Sequence, residues 1–417
     1  MIATENLSQL VEKYQKSGPR YTSYPSALYF DEEVDPEPML EYSRQNPDPV
    51  SLYLHIPFCE KLCWFCGCHT FITRNQSRAD SYLDLVEREW DLLLSQFQMP
   101  GEVVQLHFGG GTPNFLSPDQ IARLGEALQD RFTFHPESEN SVELAPSHLD
   151  LEKVQAFAEL GMTRASFGIQ DSNPNVQEAI HRPQPESLNM RTMDWLRASG
   201  FISVNVDLMY GLPRQTPETF SRTLNHAISL EPDRIALFGY AHVPWVKPHQ
   251  KILEGSGLPS GPERLQLFLF ALQRLQEAGY VYIGMDHFAK QDDELAIAQQ
   301  SGELYRNFQG YSTRAGHEIL AFGISSISQN PRGYRQNHKT MDDYRQSLEA
   351  GELPVNKAYR MTPEDQLRQR IIQDLMCHLE LNFSAIEADF RIDFKHHFAD
   401  SLEELKPMEK DGLLEFG

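Results

Sequence analysis

The spacing of the cysteines constrains this chain more than any other feature of its sequence. Four of the five cysteines lie in HIPFCEKLCWFCGCHT, spaced C-x3-C-x2-C-x-C at Cys59, Cys63, Cys66 and Cys68. Structural zinc usually takes two well-separated C-x2-C pairs, whereas a cubane iron–sulfur cluster accepts thiolates from one compact loop. Three protein thiolates would leave one iron open. The spacing therefore favours a [4Fe–4S] cluster over the two alternatives, a zinc loop and a set of unligated thiols.

Charge and hydropathy exclude several classes of function. The formal net charge is −22, and so acidic a surface repels nucleic acid and anionic lipid, neither of which is an expected partner. The N-terminus lacks the basic and apolar regions of a signal peptide, and no uncharged apolar stretch approaches the ~18 residues of a membrane span. We expect a cytoplasmic protein whose clustered cysteines serve metal or redox chemistry.

The middle of the chain alternates short β-rich runs with amphipathic segments. The β-rich runs are SLYLHI, VVQLHF, SVEL, RASFGI, SVNVDLMY and RIALFGY, which begin at Ser51, Val103, Ser141, Arg164, Ser203 and Arg234. The helical segments between them are 80–97, 118–131, 151–160, 188–198 and 218–230. Such alternation predicts parallel strands joined by right-handed crossovers. We therefore expect an α/β fold with a partial (β/α)6 barrel over residues 49–250.

The flanks of this predicted barrel have different patterns. Residues 1–48 carry scattered proline and tyrosine with weak periodicity, which predicts an N-terminal arm. Residues 251–358 are expected to extend the barrel. From residue 359 to 417 the pattern becomes helical and opens on a capping-box-like Thr362-Pro-Glu-Asp, which predicts a small, mostly helical C-terminal domain. Cys377 falls within this helical pattern and is expected to be a buried core thiol.

Seven ordered motifs carry a resemblance to a known family. They are RYTSYP (20–25), LYLHIPFC (52–59), FCGC (65–68), GGGTP (109–113), VDLMYGLP (206–213), IGMDHFA (283–289) and NFQGY (307–311). Together they resemble the oxygen-independent coproporphyrinogen III oxidases, or dehydrogenases, of the radical S-adenosylmethionine (SAM) superfamily. The similarity extends from about residue 18 to the end of the chain.

The resemblance implies a fold, cofactors and a reaction. It implies a radical SAM barrel in which Cys59, Cys63 and Cys66 bind the [4Fe–4S] cluster, while Cys68 lies nearby and does not. It also implies two SAM molecules, one of them on the unique iron, whose reductive cleavage gives a 5′-deoxyadenosyl radical. Two propionates of a porphyrinogen substrate would be oxidatively decarboxylated to vinyl groups, giving protoporphyrinogen IX. A low-potential donor such as flavodoxin or ferredoxin and a monomeric enzyme are also expected.

The resemblance further implies roles for individual residues. Tyr53 and His55 are the expected catalytic residues. The expected SAM contacts are Tyr53, Phe65, Gly110, Gly111, Thr112, Glu143, Gln170, Arg182, Asp207, Ala241, Phe308, Gln309 and Ile327. Among these, Glu143 would hold the amino acid moiety, Asp207 the ribose and Arg182 a carboxylate. The second SAM would contact Ala241, Phe308, Gln309 and Ile327, and the substrate propionates would meet Arg20, Lys290 or Arg306. Solvated surface, caps and core packing are the alternatives for each side chain taken singly.

Two departures from the family pattern keep other functions open. Family members commonly have E-I-D-P-R where this chain has Glu143-Leu-Ala-Pro-Ser147, so a salt bridge near the SAM site is expected to be missing. The chain also ends after KDGLLEF, where family members usually continue, so we expect a truncated C-terminal domain. The alternatives are a haem-binding chaperone, a haem-modifying radical SAM paralogue and a non-catalytic iron–sulfur or haem carrier.

Overall fold

A twelve-stranded mixed sheet organises the part of the chain that the structure, a computed structural model, describes: residues 10, 13–14, 24–96, 101–307 and 310–417. The strands are β1 (Val50–Ile56), β2 (Phe58–Cys59), β3 (Phe71–Ile72), β4 (Val103–Gly110), β5 (Phe134–Leu144), β6 (Arg164–Gln170), β7 (Ser203–Tyr210), β8 (Arg234–Gly239), β9 (Val281–Gly284), β10 (His287–Ala289), β11 (Tyr305–Asn307), β12 (Gly310–Ser312), β13 (Glu318–Phe322), β14 (Ile327–Asn330), β15 (Gly333–Asn337) and β16 (Val355–Arg360). The order in the large sheet is β16-β15-β14-β13-β1-β4-β5-β6-β7-β8-β10-β9.

The helices connect and cover these strands. They are α1 (Glu37–Gln45), α2 (Ser77–Leu94), α3 (Pro118–Arg131), α4 (Leu151–Leu160), α5 (Pro174–Ala179), α6 (Glu186–Ala198), α7 (Pro217–Ser229), α8 (Gly261–Glu277), α9 (Glu294–Ser301), α10 (Met341–Glu349), α11 (Pro363–His378), α12 (Phe383–Phe390), α13 (Phe394–His397) and α14 (Ala399–Lys410). Short 3₁₀ helices occur at Ala27–Tyr29, Pro113–Phe115, Pro146–His148 and Pro248–Leu253. Among the described residues, no helix is both long enough and apolar enough to cross a lipid bilayer.

The predicted run of six parallel strands is confirmed. Strands β1, β4, β5, β6, β7 and β8 pair in sequence order, each parallel to the next. The structure adds a seventh parallel strand, because β13 pairs with β1 on the side away from β4. Beyond β13 the sheet continues antiparallel through β16, and beyond β8 it continues antiparallel through β10 and β9.

Local sequence signals fix the ends of the crossover helices. Helix α3 begins at a capping box. The Ser117 hydroxyl accepts a hydrogen bond from the Gln120 backbone amide, and the Gln120 side-chain oxygen accepts one from the Ser117 backbone amide. Helix α4 begins after Asp150, which caps the Lys153 amide, and ends at Gly161 in the left-handed region. Because each helix presents an apolar face to the sheet, a continuous core forms between the two layers, including the fully buried Trp90, Phe108, Phe157, Phe167 and Phe220.

The C-terminal helices form a second, smaller core against the sheet. Thr362 caps helix α11 through a capping box with Asp365, as the sequence predicted. Leu367, Ile386 and Phe394 form the centre of the small core. Cys377 on α11 is 1% exposed and packs with the hairpin formed by β11 and β12, so the expected buried core thiol is confirmed.

The described part of the N-terminal arm contacts two separate regions of the fold. Lys13 and Tyr14 both donate hydrogen bonds to the Asp411 carboxylate, just after α14. Further along, the ring of Phe30 stacks on Tyr334 of β15 with the centroids 5.4 Å apart. The arm is therefore tied to the C-terminal helices and to the antiparallel side of the sheet.

Candidate active site

One cavity of about 520 Å³ collects most of the side chains that the sequence singled out. It opens at the cysteine loop after β1 and extends along the inner face of the parallel strands to Arg164 and Arg234. The expected site residues that line it are Cys59, Cys63, Phe65, Cys66, Gly110, Gly111, Thr112, Glu143, Gln170, Arg182 and Asp207. In α/β folds, ligands bind at the carboxyl ends of the strands, and the part of this cavity beside the cysteine loop and the glycine turn lies at that end.

The remaining expected residues lie elsewhere. Tyr53 and His55 lie on β1, beside the cavity and not among its lining residues. Neither Ala241 nor Ile327 is among the described residues that line the cavity, and Ile327 begins strand β14. Phe308 and Gln309 lie outside the described residues.

The expected substrate cations are dispersed. Arg20 lies outside the described residues. Lys290 donates to the Glu231 carbonyl and lies 3.9 Å from Asp233, and it is not among the described residues that line the cavity. Arg306 lies in a small neighbouring pocket that shares one wall with the cavity.

The cysteine loop is held in place by contacts distant in the sequence. His249 bonds the Cys66 carbonyl at 2.9 Å, Lys247 donates to the Cys68 carbonyl at 2.8 Å, and the buried Gln250 donates to the Phe65 carbonyl at 2.9 Å. These three residues belong to the turn after β8, so the sixth parallel strand fixes the loop that follows the first.

Three hydrogen bonds reach the sulfurs themselves, one at each of Cys59, Cys63 and Cys66. The amide of Cys68 points at the Cys66 sulfur from 3.4 Å, and Arg182 points Nη1 at the Cys63 sulfur from 3.5 Å. Thr112 Oγ1 lies 3.3 Å from the Cys59 sulfur. Donors of this kind stabilise thiolates, and they tune the potential of a cluster that the thiolates hold.

The glycine turn after β4 leaves no room for side chains. Gly110 has φ +115°, and a Cβ there would lie 2.5 Å from the His55 ring. At Gly111 a Cβ would lie 2.8 Å from the backbone of Pro57, at the start of the cysteine loop. The turn therefore brings its bare backbone against the loop and the cavity, as close approach to a ligand requires.

Glu143 presents a carboxylate to the cavity from β5. It accepts a hydrogen bond from the Gly110 amide at 3.1 Å and contacts His107 Nε2 at 3.3 Å, while His107 Nδ1 bonds Ser141 at 2.6 Å. Burial alone would raise the pKa of Glu143, but the His107 hydrogen bond and charge and the Gly110 amide outweigh it and lower the pKa. The group is therefore an anion near neutral pH, suited to a cationic ligand group such as an ammonium.

Asp207 presents a second carboxylate from β7. Asn205 and Ser166 both donate to its Oδ1, at 2.7 and 3.2 Å. Burial, and next the charge of Glu143, raise the pKa of Asp207 to about 6 against these hydrogen bonds. Most molecules carry a charged Asp207 at neutral pH, and a charged carboxylate accepts well from hydroxyl groups.

Gln170 and Arg182 are among the cavity residues that hold polar atoms without protein partners. The Gln170 side-chain oxygen and the Arg182 Nε are buried, and neither has a hydrogen-bond partner among the described residues. Arg182 is held by its Nη2, which donates to the Gly168 carbonyl at 3.0 Å. Because buried polar atoms are normally paired, unpaired ones in a cavity wall indicate a ligand that completes them.

Tyr53 and His55 form a short chain of hydrogen bonds on β1. His55 Nε2 lies 3.0 Å from the His69 carbonyl, which can only accept, so this nitrogen carries the proton. His55 Nδ1 then accepts from the Tyr53 hydroxyl at 3.1 Å. Burial lowers the pKa of His55 to about 4, so the ring is neutral near pH 7. The position suits a proton-conducting or positioning role more than a charged one.

The donor set fits a [4Fe–4S] cluster with SAM. Three thiols from one loop converge on the cavity, bare glycine backbone and two carboxylates face them, and the unpaired Gln170 and Arg182 atoms await polar partners. Within the described residues, no three His, Cys, Asp or Glu side chains are grouped for a single metal ion. A four-iron cluster spaces its thiolates more widely than one ion does, so the two observations are compatible.

The departure at Ala145 has a local structural replacement. Asn114 is fully buried, donates to the Ala145 carbonyl at 3.0 Å and accepts from its amide at 2.8 Å. Ser147 lines the cavity, and next to it His148 lies 3.3 Å from Glu60. The segment after β5 is therefore fixed by Asn114 without the acid and arginine that the family pattern has.

Sequence reasoning missed several residues that support the site. His107, Ser141 and Asn205 each lie two positions before a predicted site residue or glycine on a strand. Because alternate side chains of a strand point the same way, this period of two could have identified them. No comparable local signal marks Lys247, His249 or Gln250, which meet the cysteine loop only through the fold.

Comparison with known proteins gives consistent results. The model of the radical SAM superfamily matches residues 53–227, and that of the HemN C-terminal domain matches residues 361–416. A protein of Synechocystis sp. named oxygen-independent coproporphyrinogen III oxidase is 44% identical over 98% of this chain and 89% of its own length. One of the same name from Helicobacter pylori is 42% identical over 97% of this chain and 90% of its own length.

A solved structure supports the same assignment. Coproporphyrinogen III oxidase (HemN) from Escherichia coli, described as a radical SAM enzyme, is 40% identical to this chain. The alignment covers 98% of this chain and 93% of that one, with a TM-score of 0.93. The α/β fold with its helical C-terminal part is therefore shared along nearly the whole length.

Proposed function

This chain belongs to the oxygen-independent coproporphyrinogen III oxidases and is a radical SAM enzyme, and on that premise we propose that it converts coproporphyrinogen III to protoporphyrinogen IX. In this reaction each of two propionate side chains loses one CO2, one hydrogen atom and one electron, which leaves a vinyl group in its place. The bound cluster and SAM supply the reductive cleavage that generates the hydrogen-abstracting carbon radical.

The observation that carries the proposal is the convergence of the cysteine loop, the glycine turn and two carboxylates on one cavity. We assign Cys59, Cys63 and Cys66 as cluster ligands, each a thiolate from a single loop. Cys68 is exposed and donates its backbone amide toward Cys66. We therefore propose that Cys68 stabilises the Cys66 thiolate through this hydrogen bond and does not itself bind the cluster.

The chain's own residues bind and orient SAM in this proposal. Glu143 accepts from the ammonium of the amino acid moiety, and Asp207 accepts from the ribose hydroxyls. The Gly110, Gly111 and Thr112 turn brings backbone against the ligand. Tyr53 and Phe65 pack beside the sulfonium, and neutral His55, whose Nδ1 accepts from the Tyr53 hydroxyl, holds the Tyr53 ring in position.

We further propose a second SAM in the same enlarged site. Gln170 and Arg182 would complete their unpaired atoms on SAM, with Arg182 on a carboxylate. The second SAM would contact Ala241, Phe308, Gln309 and Ile327.

The proposed domain boundaries are those that the sequence predicts. We propose an arm at 1–48, the radical SAM barrel at 49–250, an extension at 251–358 that widens the sheet on both sides, and a C-terminal domain at 359–417. The family match over 361–416 supports the last boundary. We propose that the enzyme works as a cytoplasmic monomer, independent of nucleic acid and membrane, and takes electrons from a flavodoxin or ferredoxin.

The test is an anaerobic assay of the reconstituted protein with coproporphyrinogen III, SAM and a strong reductant. Formation of both 5′-deoxyadenosine and protoporphyrinogen IX is the expected result. If 5′-deoxyadenosine forms without a vinyl product, the radical SAM chemistry stands and the substrate assignment fails. The Cys59→Ala variant is the matched control and should form neither product.

A further inference from the structure

Arg306 is a buried arginine that lacks an anionic partner. It lies on β11, is 8% exposed, and neither its Nε nor its Nη1 has a hydrogen-bond partner among the described residues. The guanidinium stacks on the Tyr311 ring, 4.7 Å from the centroid. Within the described part of the chain, no acidic side chain forms an ion pair with it. A buried guanidinium with two unpaired donors is energetically unfavourable unless a further group completes it.

Other arginines of low exposure in the same fold do have acidic neighbours. Arg164 lies 2.8 Å from Glu294, and Arg234 lies 2.9 Å from Asp293 and 2.7 Å from Glu294. Arg335, which is 5% exposed, is attracted by two buried glutamates and donates to Ser43 at 3.0 Å. Arg164, Arg182 and Arg314 each have one unpaired Nε, whereas Arg306 has two unpaired nitrogens, and it differs from Arg164, Arg234 and Arg335 in having no acidic neighbour among the described residues.

The space in front of Arg306 is small and has both polar and apolar walls. A pocket of about 20 Å³ there is lined by Arg306, Asn307, Gln329 and Gln369, and also by Ile372 and Met376. That volume is close to the space one water molecule needs, so the pocket excludes a whole SAM or porphyrinogen and admits at most the tip of a side group. Asn307 also lines the large cavity, so the pocket is a side chamber next to the active site.

The geometry points to a carboxylate subsite at Arg306. We propose that the guanidinium binds one propionate carboxylate of the porphyrinogen substrate while the macrocycle occupies the large cavity, an inference that rests on the proposed function. The unpaired Nε and Nη1 of this guanidinium can donate charge-assisted hydrogen bonds to carboxylate oxygens. SAM also carries a carboxylate, so the chemistry of the subsite has two candidate sources, and the experiment separates them.

The test compares Arg306→Gln and Arg306→Lys with wild type in the reconstituted full chain. Arg306→Gln should raise the KM for coproporphyrinogen III about ten- to hundredfold, because a charge-assisted hydrogen bond is lost, and leave the KM for SAM within about twofold of wild type. The KM of Arg306→Lys for coproporphyrinogen III should lie between those of wild type and Arg306→Gln, since lysine keeps the charge and loses the planar set of donors. The control is Arg368→Gln on α11, an exposed residue paired with Glu364, which should match wild type.

Thermal unfolding distinguishes a binding role from a structural one. Removing an unpaired buried charge should leave the melting temperature of Arg306→Gln unchanged or higher. A lowered melting temperature, or unchanged KM values in a stable variant, would overturn the subsite. A raised KM for SAM alone would assign the carboxylate to SAM and overturn the propionate.

The outcome for Arg306 is also separable from that of the proposed function. If wild type makes no protoporphyrinogen, equilibrium dialysis with coproporphyrinogen III replaces the KM as the measurement. Binding that weakens about tenfold or more in Arg306→Gln still supports the subsite. Equal binding by wild type and variant refutes it.

Discussion

Carboxylates lie on both sides of strand β1, and the protein surrounds the two groups differently. On the β13 side, the buried Glu89 accepts from the Gly323 amide, from Asn337 and from Tyr344, while the buried Glu318 accepts from Ser43, Asn46 and Asn330. On the β4 side, the hydrogen bonds that Asp207 accepts from Asn205 and Ser166 both end on one oxygen. The first group is satisfied by protein, and the second is left open toward a cavity.

This difference separates structural acids from ligand-binding acids. Burial raises the pKa of Glu89 to about 7 although three donors contact it. Because those donors all lie on the β13 side, Glu89 joins helix α2 to that side of the sheet. Glu143 keeps a lowered pKa and a side chain that is 47% accessible. Residue type alone would not distinguish these acids, whereas exposure and the completeness of hydrogen bonding do.

The largest expected effect tests the cavity side at the cysteine loop. Cys59→Ala should lose the cluster and all activity while the sheet still folds, because the satisfied acids on the β13 side are untouched. Iron and sulfide analysis after anaerobic reconstitution measures the first, and far-ultraviolet circular dichroism the second. Cys68→Ala is the matched control and should keep the cluster. Loss of the cluster in Cys68→Ala would contradict the ligand assignment.

The next effect tests the opposite side of β1. Glu89→Ala should lower the free energy of unfolding by about 3 kcal/mol or more, because it leaves three buried donors without an acceptor. Denaturant unfolding measures it, with Asp84→Ala as control on the same helix. Asp84 is 67% exposed in its ion pair, and its loss should change stability by about 1 kcal/mol or less. Equal effects of the two variants would refute the distinction between the acids.

A smaller effect is expected for the open carboxylate of Glu143. Glu143→Gln should weaken SAM binding about tenfold, since a charge-assisted bond to an ammonium is lost, and should alter unfolding little. Equilibrium dialysis of SAM against reconstituted protein measures the affinity. The exposed Glu152→Gln is the control. If Glu143→Gln unfolds like Glu89→Ala while still binding SAM normally, Glu143 is a structural acid.

The smallest effect concerns the protonation of Asp207. Its pKa is raised to about 6, so the charged form predominates above that pH and the neutral form below it. SAM affinity should therefore fall about three- to tenfold as the pH drops from about 7.5 to about 5. Glu143, with a lowered pKa, and His55, at about 4, do not titrate over most of this window. Asp207→Asn should flatten the profile, and a profile that persists in this variant would assign the titration elsewhere.

Much of the fold could be predicted from the sequence because its signals are local. The predicted segments 118–131 and 151–160 coincide with α3 and α4, whose ends are set by Ser117, Asp150 and Gly161. The six strand cores were likewise visible as short β-rich runs. The seventh parallel strand was missed, because Glu318–Phe322 lies far along the chain and its partner β1 is set only by long-range pairing.

The candidate site divides in the same way. The cysteine spacing, the glycine turn and the carboxylates are marked by residue type at strand ends, so a sequence motif suffices to identify them. The proposed SAM contacts Ala241 and Ile327 have no such chemistry, and the structure does not bring them to the lining of the described cavity.

The sequence by itself determined the order of the strands and helices, the suitability of the cysteine loop for an iron–sulfur cluster, and the family. These depend on spacing and periodicity, which neighbouring residues set. Only the tertiary structure decided that Gln250 and His249 hold the loop, that Glu89 is satisfied, and that Arg306 is not. Whether a buried polar group has a partner depends on side chains hundreds of positions apart, because hydrogen bonding is decided by distance in space.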